Sequence, residues 1–235
     1  MSTIFHYQSK ENDLGEDVRL AICLPLIDEH VDKRFFISWV IMEKPIEYNL
    51  ILPTLAPGDF YENIAAVRNQ LVEQALINNC THILMMDTDQ IYPADTITKL
   101  LSYNLPIVTA KVHRRYAPFD PLLLRGSLGR YHRVPDEEWE PVNGLIEVDA
   151  TGTGCVLFSA EVFRKLEFPW FKIIPGEGKR KSIGEDVYMF SKAREAGYKI
   201  FVDTSIEISH LATLEINRHF SKLYSIAKGN NNSDE

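Results

Sequence analysis

The stretch THILMMDTDQIYPADTITKLL, Thr81 to Leu101, decides the fold. Its first part, His82 to Met86, is an apolar run of strand length that ends directly on Asp87, Thr88 and Asp89. Pro93 then opens a segment whose Ile97, Leu100 and Leu101 recur at helical spacing. Upstream, ENIAAVRNQLVEQALINN sets Ile64, Val67, Leu71, Ala75 and Leu76 three and four residues apart, which predicts a helix of about five turns ended by Asn78 and Asn79. Helix, strand, acidic loop and helix form one α/β unit with carboxylates at the C-terminal end of its strand.

Further out the same alternation continues. Arg19 to Leu26, Tyr48 to Leu52 and Pro106 to Ala110 read as strands, and Pro57-Gly58-Asp59 as a turn whose Asp59 and Glu62 resemble a capping box for the long helix. From Lys111 to Asn143 the chain is irregular, with Pro118, Pro121, Pro135 and Pro141, and reads as surface loops with a hairpin. Leu145 to Ala150 and Cys155 to Ser159 are strands separated by Thr151-Gly152-Thr153-Gly154, and Ser159 caps a short helix with Val162, Phe163 and Leu166 inward. A flexible PGEGKRKSIG loop, Pro175 to Gly184, leads to a helix from Glu185 to Ala196 that stops at Gly197. Strands at Tyr198 to Val202 and Ile206 to His210 follow, then an amphipathic helix with Leu214, Ile216, Phe220, Leu223 and Tyr224. Residues 1–228 read as one domain and 229–235 as a disordered polar tail.

Composition sets the bounds. At 235 residues, with 45% hydrophobic and 25% charged residues and only 12 Gly and 12 Pro, the chain is an ordinary globular protein, neither disordered nor collagen-like. Its net charge of −8 argues against a general affinity for nucleic acid backbones, although the Lys179 to Lys181 and His113 to Arg115 clusters leave room for a local track. Cys23, Cys80 and Cys155 are odd in number and scattered, so they read as reduced core thiols rather than a disulfide framework or a zinc site. The start of the chain lacks a secretory pattern, and no run approaches the ~18 apolar residues of a membrane span, so the expected location is the cytoplasm.

Asp87 and Asp89 at a strand end suit a hard divalent cation, because alternate carboxylates share its oxygen coordination and leave positions for phosphate oxygens. An acidic turn after a strand is commonplace, so the weight comes from the strand before it and the Pro-started helix after it.

In order along the chain, AAVRNQLVEQAL, THILMMDTDQIYPADTITKLL, TGTGCVLFSAEVFRKL, GEDVYMFSKAREAGYKIFVD and ISHL resemble the nucleotide-sugar-dependent glycosyltransferases of GT-A fold, family-2-like and carrying an Asp-x-Asp motif. The resemblance covers most of Arg19 to Leu211. It implies an α/β, Rossmann-like domain built on a mixed, mostly parallel central sheet flanked by helices, with a nucleotide-binding half at about 17–115 and an acceptor-binding half at about 116–228. It implies a metal-dependent hexosyltransferase, with Mn2+ or Mg2+ as cofactor, a UDP- or GDP-sugar as donor and a hydroxyl acceptor.

Carried over residue by residue, Asp89 is a direct metal ligand, Asp87 a ribose or metal contact with Thr88 beside it, and His210 the third protein ligand. The other reading of His210 is a strand-end histidine satisfied by a backbone carbonyl. Glu185 and Asp186 match the acidic pair, with Asp186 as the base that takes the acceptor's proton in sugar-inverting members; charge complementarity at a helix N-terminus competes with that role. Arg68 is a nucleotide contact or a solvated helix charge, and Pro25 and Leu26 fall where base and ribose rest. Gly152 and Gly154 face the donor sugar or make a tight turn of positive φ, while Lys181 in the basic loop closes over the diphosphate or is plain solvated charge.

Two rivals accompany this reading. A nucleotidyltransferase would use the same acids but normally shows a Gly-rich loop after its first strand, which LPLIDEH lacks. A non-catalytic sugar- or nucleotide-binding module would keep the acids as a binding site alone.

Overall fold

The computed structural model describes residues 3–7, 18–27, 30–45, 47–53, 63–176, 182–213 and 215–230. In chain order the strands are β1 (Thr3–Tyr7), β2 (Leu20–Cys23), β3 (Tyr48–Leu52), β4 (His82–Met86), β5 (Gln90–Ile91), β6 (Ile107–Val112), β7 (Leu124–Arg125), β8 (His132–Arg133), β9 (Leu145–Val148), β10 (Cys155–Ser159) and β11 (Ile200–His210). The helices are α1 (Lys33–Ile41), α2 (Ile64–Ile77), α3 (Thr96–Ser102), α4 (Asp136–Trp139), α5 (Ala160–Lys165), α6 (Glu185–Glu195) and α7 (Arg218–Asn230).

One nine-stranded sheet runs β1-β3-β2-β4-β10-β6-β11-β5, with β9 also paired to β11. Strands β3, β2, β4, β6 and β11 point the same way; β10 lies antiparallel between β4 and β6, and β1, β5 and β9 are antiparallel additions. The sheet is therefore mixed, with its main strands co-directional. Its apolar runs explain why it is covered on both faces. In β2 the alternate residues Ala21 and Cys23 join one core with α2, α5 and α6, whereas Leu20 and Ile22 join a second core with α1 and α3. A strand apolar at every position is buried on both sides.

Differences from the sequence expectation have local causes. Thr3–Tyr7, unassigned in the sequence, pairs antiparallel with β3 at the sheet edge. Lys33–Ile41, also unassigned, is helix α1, started by Asp32, whose side chain accepts from the Arg34 backbone N–H. The Asp59/Glu62 capping box lies outside the described residues, and the cap of α2 is Asn63, which accepts from Ala66 N–H. The two strands expected at Tyr198 to Val202 and Ile206 to His210 are one, β11, whose register against β6 shifts between Asp203 and Glu207. The polar Asp203-Thr204-Ser205 interrupts its apolar pattern and disguises its continuity.

The hairpin expected between Lys111 and Asn143 is β7 with β8. Helix α7 starts at Arg218 and takes in Gly229 and Asn230, residues expected in the tail; 231–235 and Leu214 lie outside the described residues. Ile216, Leu223 and Tyr224 are exposed rather than buried. All three cysteines are free and buried. Among the described residues no helix is long and apolar enough to cross a membrane.

Candidate functional site

Strand β4 ends on Asp87 beside the end of β2, and α2 runs alongside, so Arg68 in the second turn of that helix reaches the acidic loop. Arg68 is 4% exposed, and its guanidinium donates from Nη2 to Asp87 Oδ1 at 2.9 Å, while Nε lies 3.5 Å from Glu185 Oε1 at the start of α6. Burial works against its charge, but Asp87 and Glu185 hold its pKa above the ordinary arginine value. Arg68 is thus no solvated helix charge: it ties the strand acids to the helix acids, and Nη1 keeps a buried donor with no hydrogen-bond partner among the described residues.

These groups line a cavity of about 340 Å3 together with the apolar Pro25, Ile27 and Ile64 and the polar Thr88, Asp89 and Arg115. Leu26 is not among its lining residues. A second cavity, of about 200 Å3, shares Thr88 and Asp89 and continues to His30, Asp32 and Leu211.

Long-range pairing delivers His210. The antiparallel register of β11 with β5 sets His210 opposite Gln90, and Leu211 N–H donates to the Asp89 carbonyl at 2.8 Å. His210 Nε2 consequently lies 3.3 Å from Asp89 Oδ2, and Nδ1 lies 2.8 Å from the His113 carbonyl oxygen. The carbonyl reading of this histidine is met at Nδ1, and that partner orients Nε2 toward the Asp89 carboxylate. The hydrogen bond that His210 Nε2 can donate to Asp89 raises the histidine's pKa. Burial opposes ionisation of Asp89, but His210 and Arg115 hold its carboxyl below the usual range.

Arg115 pairs with Asp89 through Nη2, and its Nε lies 3.3 Å from His210 Nε2. Its neighbours point elsewhere, Arg114 to Asp120 and His113 to Glu207.

Beneath the loop a buried network fixes its shape. Asp87 N–H donates to the Gly154 carbonyl at 2.9 Å, and the Tyr92 hydroxyl lies within hydrogen-bond distance of the Asp87 carbonyl, the Gly154 carbonyl and Gln90 Oε1. Gly154 is glycine because of packing: an added Cβ would lie 2.1 Å from Gln90 Nε2. Gly152 is less tight, with an added Cβ 2.9 Å from Leu122 Cδ1, and neither residue has a positive φ, so the tight-turn alternative does not apply. Both glycines are buried. Gln90 and Tyr92 carry no motif signal, and only the fold reveals them.

The first turn of α6 separates two spaces. Glu185 faces the Arg68 cavity, whereas Gly184 and Val187 line another of about 760 Å3 with Leu128, Arg130 and Tyr131. Asp186 Oδ1 accepts from Val187 N–H at 2.7 Å. Burial and the neighbouring Glu185 nonetheless push its pKa up to about 6, which outweighs the ionising effect expected of a helix N-terminus. Lys181 lies outside the described residues.

As donors for a divalent cation, Asp89 Oδ2 and His210 Nε2 converge and have suitable chemistry, a carboxylate and an imidazole. Asp87 is engaged by Arg68, and among the described residues no three His, Cys, Asp or Glu side chains gather as a metal cluster. Asp89 and His210 are the two residues that would hold such a cation.

No protein-family model matches the chain, and no curated protein sequence does. Solved structures do. A197 from STIV superposes with a TM-score of 0.55 at 16% identity, covering 86% of this chain and 97% of that one. The structure of GalNAc-T7 with UDP, GalNAc and Mn2+ superposes with a TM-score of 0.52 at 10% identity, covering 84% of this chain and 44% of that one. At such identities the likeness is one of fold, and the fold is the GT-A type: a mixed α/β sheet with helices on both faces.

Proposed function

We propose that the chain is a glycosyltransferase that moves a sugar from a nucleoside diphosphate donor to a hydroxyl acceptor, as one domain with a donor half at about 17–115 and an acceptor half at about 116–228. The observation that carries this reading is Arg68 paired with both Asp87 and Glu185, which turns the acids of β4 and of α6 toward one cavity.

In this reading Pro25, Thr88, Asp87 and the free Nη1 donor of Arg68 receive the nucleotide, and Asp89 with His210 hold a Mn2+ or Mg2+ ion. When bound, such a cation stabilises the negative charge on the departing diphosphate. Asp186 lies in sequence between Glu185, which lines the donor cavity, and Val187, which lines the larger one, a place that suits a group taking the proton from an acceptor hydroxyl; a pKa of about 6 leaves it ionised, yet basic, at neutral pH. The UDP and Mn2+ in the GalNAc-T7 structure make UDP-sugars with Mn2+ the first choice of donor and metal to try.

The test is a thermal-shift panel of UDP, GDP and CDP and their sugars, each with and without Mn2+. One nucleotide at about a hundredfold excess over its Kd stabilises the chain by about 2.7 kcal/mol, and the shift depends on the metal. No shift with any nucleotide, in either condition, overturns the donor site.

A further inference from the structure

The reading above leaves Arg115 without a task, although it pairs with the Asp89 carboxylate. It follows β6 and reaches across to the loop after β4, where one guanidinium touches both converging donor atoms: Nη2 pairs with Asp89 Oδ2, and Nε lies 3.3 Å from His210 Nε2. A carbonyl oxygen only accepts, so the His113 carbonyl places a hydrogen on His210 Nδ1, and the ring when neutral then carries its lone pair on Nε2, the atom that faces Asp89 and Arg115. The guanidinium therefore lies against the two atoms that would ligate a cation.

We propose that Arg115 is the resident counter-cation of the Asp89–His210 pair, and that its guanidinium and a divalent cation occupy that pair by turns. The inference rests on the assignment of that pair as the cation site. Two features make the exchange feasible. The Arg115 side chain is 45% exposed and Asp89 34%, so the ion pair is screened and yields at low cost, whereas a dication brings twice the charge to the same oxygen. Arg115 also lines the donor cavity, so a displaced guanidinium has that space and the solvent beside it to enter.

Arg114 supplies the control. It carries the same charge one residue away but is paired with Asp120. Mn2+ binding to the full chain without nucleotide, followed by the electron paramagnetic resonance signal of free Mn2+, is measured for wild type, Arg115→Gln and Arg114→Gln, with a melting curve to confirm that each is folded. Arg115→Gln binds Mn2+ about three- to fivefold tighter than wild type, the removal of a competing exposed ion pair, and Arg114→Gln stays within about twofold. Equal or weaker binding by Arg115→Gln overturns the proposal. So does equal tightening by Arg114→Gln, which makes the effect one of overall charge, and so does an absence of Mn2+ binding in all three. A chain that gives the expected Mn2+ result but shows no nucleotide-induced shift keeps the exchange and loses the transfer reading.

Discussion

Arg68 and Asp186 illustrate how burial sharpens the chemistry of single residues. Replacing Arg68 by Met leaves the half-buried Asp87 and Glu185 without the buried cation they share, and breaking a buried pair costs about 3–5 kcal/mol. Urea unfolding checks this; a loss below about 1 kcal/mol would show that water already solvates the two acids. Asp186 has the opposite sign. Its folded pKa of about 6 lies above the ordinary 3.8, so protonation favours the folded state: the associated stability is full below about pH 4 and is lost as pH rises through 6. Asp186→Asn is accordingly more stable than wild type at pH 8, by on the order of 1–2 kcal/mol, and equal to it near pH 3. The same substitution lowers sugar transfer by about two to four orders of magnitude if Asp186 is the base, and wild-type transfer declines as pH falls through 6. Melting curves and rate–pH profiles read the two effects separately.

The acidic loop shows what the elements contribute. Its carboxylates sit at a strand end, but its shape comes from β10, whose Gly154 carbonyl receives Asp87 N–H, and from Gln90 and Tyr92 packed beneath it. Gly154→Ala drives a methyl group into the buried Gln90 side chain, so it destabilises the fold by about 1–3 kcal/mol and weakens Mn2+ binding through the adjacent Asp89. Differential scanning fluorimetry with and without Mn2+ measures both. Elements with strong local patterns were legible in the sequence: α2 from its spaced apolar residues, β4 from its run into Asp87, α5 from the Ser159 cap, α6 from Gly184 to Gly197. Those lacking one were not. Helix α1 mixes exposed Phe36, Ile37 and Val40 with buried Phe35, and β1 acquires its identity only by pairing with β3.

Across the whole molecule, what the sequence conveyed about the site falls off with chain separation. Asp87, Asp89 and the Glu185-Asp186 pair announce themselves locally. That Arg68 is buried, and that Arg115 lies on Asp89 from 26 residues away, follows only from the packed sheet, because a basic residue near an acid in sequence says nothing about which carboxylate it meets. His210 is the extreme case, brought to Asp89 across 121 residues by β11. The larger cavity beyond Gly184 belongs to the same class, because the entry to α6 forms it only by meeting the β7–β8 connection, a segment with no motif.

The irregularity within β11 also sets a counting rule. Between Asp203 and Glu207 this strand advances four residues while β6 advances one, from Ala110 to Lys111. The surplus is odd, so the alternation of sides inverts: Ile200 and Val202 belong to the core shared with α2 and α6, whereas Ile206 and Ile208 belong to the core shared with α1 and α3. His210 keeps step with Ile208. Deleting one residue from Thr204–Ile206 would restore the original phase and turn the imidazole to the other face, whereas deleting two would preserve it. The one-residue deletion should therefore lose Mn2+ affinity and the two-residue deletion retain more of it. Parity of chain length, as well as residue identity, determines whether a histidine reaches that carboxylate.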